Sequence, residues 1–230
     1  MSGSKSRWFF RVIFSVLGLS FCALGMKLSA KAALGTTSFA SLPFVLDLLF
    51  VPTMGTFVTL LSVFYILLQI CILRREFKPI SFLQFAGSII LGRFVDLWDV
   101  VFRWLVFPNY PLRLLGLVIG IFILAMGITL AVEADLMAVP VDTFVSVVAR
   151  KRGTTFGKVK VPHDIIYVSC TCLLSLLTLG ELQGAREGTL LAALTMGRVA
   201  DLYKPWVSPL VHKLCFGTPP LDKAYNSKVK

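Results

Sequence analysis

The twenty residues from Leu112 to Ala131 carry a single charge, Arg113. A run of that length and polarity matches the roughly 20 apolar residues that an α-helix needs to cross a hydrocarbon core about 30 Å thick. The pattern recurs. Trp8–Leu28, Phe57–Leu73 and Val161–Leu179 read as further spans, and Ile80 to about Val95 and Thr189 to about Leu202 as more polar ones, with Trp98, Trp104 and Phe107 forming an interfacial belt after the third. Hydrophobic residues make up 57% of the 230, more than a soluble fold of this size can hide. The chain therefore reads as all-α, a polytopic membrane protein with six transmembrane helices and the lipid bilayer as its first partner. Its formal charge of +11 lies between the apolar runs and not on one soluble face, which argues against a nucleic-acid partner.

The run from Leu124 ends in three carboxylates, Glu133, Asp135 and Asp142, out of only twelve acidic residues in the chain. Leu24 to Ala40 has the same shape 102 positions earlier, with Lys31 where Glu133 stands. Gly25 answers Gly127, Leu34 answers Leu136 and Gly55 answers Gly157 at that offset. Gly92-Arg93 with Asp96-Leu97 answers Gly197-Arg198 with Asp201-Leu202 at 105. Three spans per half is odd, so the second half enters the membrane inverted. The reading is two inverted three-helix repeats, 1–107 and 108–217, followed by a mobile cytoplasmic tail over 218–230. Each repeat holds a short broken or re-entrant helix, Phe44–Val51 and Val139–Ala149, too short to cross. With both termini in the cytoplasm, 17 Lys and Arg lie inside and 6 outside or within spans, as the positive-inside rule requires. Lys5, Arg7 and Arg11 before Val12–Met26 imitate a signal peptide, but the repeat needs the whole segment as its first span.

The duplicated pattern, a first helix ending in G-x-x-L-x-x-x-A-x-L-G, a short helix, a Gly-Thr opening of the next span and a terminal G-x-x-x-D-L, resembles the YczE/YyaS/YitT-type bacterial membrane proteins from about Val16 to Trp206. Gly127, Leu130, Ala134, Leu136, Pro140, Gly157 and Asp164 match it. Met137 stands where such proteins carry Gly, and Ser38 replaces the Pro of the first copy. The resemblance implies a multi-pass protein of the bacterial plasma (inner) membrane, and says more of fold than of function.

No phosphate-binding loop, HExxH, GxSxG or dinucleotide fingerprint is present, so no enzyme activity and no cofactor are expected. Cys22, Cys71, Cys170, Cys172 and Cys215 form neither a disulfide framework nor a zinc spacing, and no metal is expected. Carboxylates at membrane depth are costly and functional, which makes Glu133, Asp135 and Asp142, with Lys31, Thr36 and Thr37 from the first half, the candidate substrate-binding residues. His163 and Asp164, after Pro162, are the candidate coupling pair or proton relay. Arg93 with Asp96, and Arg198 with Asp201, are spaced i,i+3 as structural ion pairs. Both broken segments are expected to dive to the midplane, where Lys31 and Glu133 meet, because Gly35, Thr36 and Thr37 on one side and Ala134, Ala138 and Pro140 on the other suit backbone that leaves the helix to line a cavity. The leading function is a small secondary transporter of a polar or amphipathic molecule, with a central site at the repeat interface. The alternatives are a substrate-binding or accessory subunit resembling the S component of a vitamin importer, and an assembly factor without substrate; a homo-oligomer or a partner subunit is compatible with each.

Overall fold

The computed structural model describes residues 2–74, 82–154 and 156–217. Among them the secondary structure is helical, with no strand: α1 (Ser2–Lys31), α2 (Ser38–Leu49), α3 (Met54–Leu73), α4 (Leu83–Val101), α5 (Tyr110–Ala134), α6 (Pro140–Lys151), α7 (Phe156–Leu179) and α8 (Glu187–Cys215). Segments of α1, α3, α5 and α7 are long and apolar enough to cross a membrane. α4 and α8 have 19 and 29 residues but carry more charge. The protein is thus a helical membrane protein, with four clear candidate spans among the described residues. Arg75 and Lys78, the start expected for the third span, and the tail over 218–230 lie outside the described residues.

α1 and α5 form the centre and run antiparallel. A Cβ on Gly18 would lie 2.9 Å from the Gly127 carbonyl oxygen, and one on Gly25 2.6 Å from that of Gly120. Small residues let two backbones approach this closely, and in a bilayer such packing is a main force holding helices together. Residues 102 apart exchange partners here: Gly18 meets Gly127 and Gly25 meets Gly120. Around this pair α4 packs on α1 and α8 on α5, while α2 lies on α7 and α6 on α3.

The short helices begin well inside the bundle. The Tyr167 hydroxyl, near the middle of α7, donates to the Phe39 carbonyl in the first turn of α2 at 3.2 Å. Gln69 Nε2 of α3 donates to the Pro140 carbonyl at the start of α6 at 3.0 Å. Pro140 is suited to that position, since its fixed φ and missing N–H cost nothing in a first helical turn.

α8 runs further than expected. Pro205 and Pro209 do not end it; both are exposed, while Val207, Val211 and Cys215 bury against Leu130 and Ala134 of α5. The prolines place their missing donors on the outer side, and packing of the inner face holds the helix.

The two expected ion pairs do not form. Asp96 turns to the start of α3, accepting from the Thr53 hydroxyl at 2.9 Å and from the Gly55 N–H at 3.0 Å, and Arg93 is exposed. Unpaired N–H groups and the positive helix end outcompete a neighbour at i−3. Asp201 pairs with Lys204 at 2.8 Å, both well exposed, and not with Arg198. Asp96→Ala is expected to cost about 1–2 kcal/mol, the usual loss of an N-terminal cap. Asp201→Ala should stay within about 0.5 kcal/mol, as for exposed pairs. Thermal melts of the two purified variants check the contrast.

Candidate functional site

The candidate site lies where α3, α6 and α7 meet. Lys160 Nζ sits 3.0 Å from Asp142 Oδ1 and 3.1 Å from Asp164 Oδ1. Asp164 Oδ1 is 3.1 Å from His163 Nδ1, and His163 Nε2 is 2.7 Å from the Tyr65 hydroxyl. The series Asp142, Lys160, Asp164, His163, Tyr65 is thus unbroken. Its charged members are largely buried, with side-chain exposures between 16% and 29%. Tyr167 stacks on the His163 ring at 5.9 Å, and Tyr65 and Phe144 lean on it from two other sides.

Local sequence explains the positions. Lys160 and Asp164 are one helical turn apart and share a face of α7. Asp142 comes from the first turn of α6, two residues after Pro140. The histidine can hold its bonds in either protonation state. Neutral, it donates from Nδ1 to Asp164 and accepts from the Tyr65 hydroxyl at Nε2. Protonated, it donates from both nitrogens and the tyrosine oxygen accepts. Two carboxylates and one ammonium leave the group one negative charge, which a protonated His163 neutralises. Such a group can store a proton or exchange it for a cation.

The other expected residues lie elsewhere. Lys31 is 3.9 Å and Lys27 3.0 Å from Asp99 of α4, and Lys27 is almost wholly buried. Asp47 of α2 belongs to this group too. Its carboxylate lies within the field of Lys27 and accepts from the Met54 N–H. Thr36 is buried and its N–H donates to the Gly184 carbonyl at 2.9 Å; Thr37 precedes the first turn of α2. Glu133 is 2.9 Å from His212 Nε2 of α8. Asp135 adopts the left-handed conformation that ends α5, with an exposed carboxylate 3.7 Å from Arg11.

Lys31 and Glu133 therefore do not meet. Because α1 and α5 are antiparallel, with Gly25 against Gly120 and Gly18 against Ala131, the two residues fall at opposite ends of the helix pair, about 25 Å apart at ~1.5 Å per residue. Of the expected substrate residues only Asp142 joins His163 and Asp164. Lys160, Tyr65, Asp99, Asp47 and His212 are additions; the i,i+4 spacing of Lys160 and Asp164 was a signal for the first, whereas Tyr65 reaches His163 across helices and has none.

A family model described as "Family of unknown function (DUF6198)" matches residues 9–205. The chain belongs to this family. It is similar to "Uncharacterized protein YyaS" of Bacillus subtilis (strain 168), with 27% identity over 127 residues, 55% of this chain and 62% of the relative. The YyaS-type likeness expected from the residues therefore holds, and the aligned part spans less than two thirds of that relative. No solved structure matches the chain. Gly18, Gly25, Asp96, Asp142, Lys160 and Asp164 all fall within the segment that the family model matches.

Asp99→Asn is expected to leave Lys27 buried without its closest anion, lowering stability by about 3 kcal/mol, near the low end of the range for breaking a buried pair because Asp99 is half exposed. Lys27→Met in the same background should recover most of it. Melting of the purified single and double variants measures both.

Proposed function

We propose that the chain is a small secondary transporter of six spans, built from two inverted halves, with both termini in the cytoplasm of the bacterial inner membrane. The observation that carries this reading is the unbroken series Asp142, Lys160, Asp164, His163, Tyr65 among apolar helices. Charged groups so placed are expensive, and such groups mark substrate or proton paths. The substrate is a small polar or amphipathic molecule held at the junction of first-half α3 with second-half α6 and α7, and His163 with Asp164 couples its movement to a proton. The role is transport and not catalysis.

Support for the inverted halves comes from the partner exchange at Gly18, Gly25, Gly120 and Gly127, and from the crossed placement of α2 on α7 and α6 on α3. Helices that break near the centre are how inverted-repeat transporters build a site. The test uses purified protein in liposomes loaded with a pH-sensitive dye, to which a panel of small solutes is added. At least one solute should drive proton movement beyond that in protein-free liposomes, and Asp142→Asn and His163→Phe should abolish it. If no solute moves protons or itself across, the transporter reading fails, and co-purification of another subunit would then favour an accessory role.

A further inference from the structure

We propose that the cleft between α7 and α8 binds an amphipathic cation, its apolar body between the two helices and its positive head at Glu181 and Glu187. The cleft has a volume of about 640 Å³, within the ~300–1,000 Å³ usual for small-molecule sites. Val168 and Cys172 of α7 and Leu190 of α8 line it together with the charged Glu181, Arg186 and Glu187, all three of which are exposed.

The first half shows why the gap is unusual. α3 and α4 are closed on each other: the Thr59 hydroxyl donates to the Gly55 carbonyl at 2.9 Å and to the Ser88 carbonyl of α4 at 3.2 Å, and a Cβ on Gly92 would strike Thr59 and Gly55. α7 and α8 are the corresponding helices of the second half. Gly197, which answers Gly92, has nothing within 4 Å of its Cβ position. Val161, which answers Thr59 at the 102-residue offset, has no hydroxyl to tie the helices together. The sequence has thus kept the small residue of a tight seam and lost its fastening.

Charge selects the occupant. The chain is strongly basic, yet the lining of this cleft carries two carboxylates against one guanidinium. Arg186 is committed to Glu187 at 3.4 Å and to the Ala33 carbonyl at 3.4 Å. Among the described residues Glu181 makes no ion pair, and its carboxylate accepts only from Gln183 Nε2 at 2.8 Å. A cationic head completes that arrangement; an anionic one is repelled. This site is separate from the polar series of α3, α6 and α7, and binding there does not require that the chain transport anything.

The test follows alkylation of Cys172 by N-ethylmaleimide in a protein whose other four cysteines are serine, held in nanodiscs of zwitterionic lipid. Cys170, two positions away on the exposed side of α7, serves in a matching single-cysteine protein as reference. Dodecyltrimethylammonium at about nine times its dissociation constant is expected to slow the Cys172 reaction about tenfold through occupancy of the cleft, and to leave Cys170 unchanged. Dodecyl sulfate, with the same chain, should protect neither. Glu181→Gln with Glu187→Gln should remove the protection. Equal protection by both amphiphiles, protection that survives the double substitution, or protection by a second copy of the chain alone would overturn the proposal, as would no protection at all. The outcome is independent of the liposome experiment, so either reading can fail without the other.

Discussion

Gly25→Leu is expected to abolish the folded protein, while Gly197→Leu leaves it intact. At Gly25 the new Cβ would sit 2.6 Å from the Gly120 carbonyl oxygen and the Leu124 Cβ and 2.7 Å from the Leu124 nitrogen. Two of those three atoms are backbone of another helix, which cannot swing aside as a side chain can. Overpacking normally costs about 1–3 kcal/mol, and a bulky side chain against backbone belongs at or above the top of that range. The loss is larger still in consequence, because α4 and α8 pack on this pair and bilayer helices have little hydrophobic force to re-form a displaced contact. Gly197 sits in a helix with open space beside it, where leucine should gain up to about 1 kcal/mol of helix propensity. Size-exclusion profiles and melting of both variants from the same membranes measure the contrast. Equal behaviour of the two would refute the central place given to the α1–α5 crossing.

The second large effect is expected at Lys160. Lys160→Met removes the cation between Asp142 and Asp164, leaving two largely buried carboxylates with a single histidine to share. Removing one partner from a buried group of charges costs about 3–5 kcal/mol, because the remaining charges stay desolvated and uncompensated. Asp142→Asn with Asp164→Asn should restore most of the stability of Lys160→Met, since neutral amides repel neither each other nor the histidine. A single variant that melts with the parent protein would mean that water reaches the group freely, and the case for a buried polar path would fall with it.

Run length and charge made the helices legible in the sequence. Leu112–Ala131 lies inside α5, Val161–Leu179 inside α7, and the short helices fall near their expected places because runs of eight and eleven residues are too short to cross a bilayer. His163 and Asp164 were legible as a pair by adjacency alone. The contact of Asp142 with Lys160 was not, since residues on two different helices meet only through packing. Lys31 and Glu133 misled for a physical reason: each stands near the C-terminal end of its helix, and α1 and α5 pack antiparallel, so those two ends lie on opposite sides of the bundle. The Arg93–Asp96 spacing was legible as a pair but omitted the competing helix start, where Thr53 and Gly55 offer Asp96 better partners.

The crossed placement of the short helices sets an order on how the protein can be made. The Ser41 hydroxyl meets that of Thr171, 130 residues later in the chain, at 3.1 Å, and the Phe39 carbonyl waits as long for Tyr167. At ~5–20 residues per second the ribosome needs roughly 6 to 26 s to supply that partner. Until then the first turn of α2 lacks both contacts, and its Phe39 carbonyl, to which Pro43 four residues on has no N–H to give, needs another donor. A finished molecule therefore differs from an unfinished one at the start of α2, whose Phe39 carbonyl and Ser41 hydroxyl meet their α7 partners only when that helix is in place.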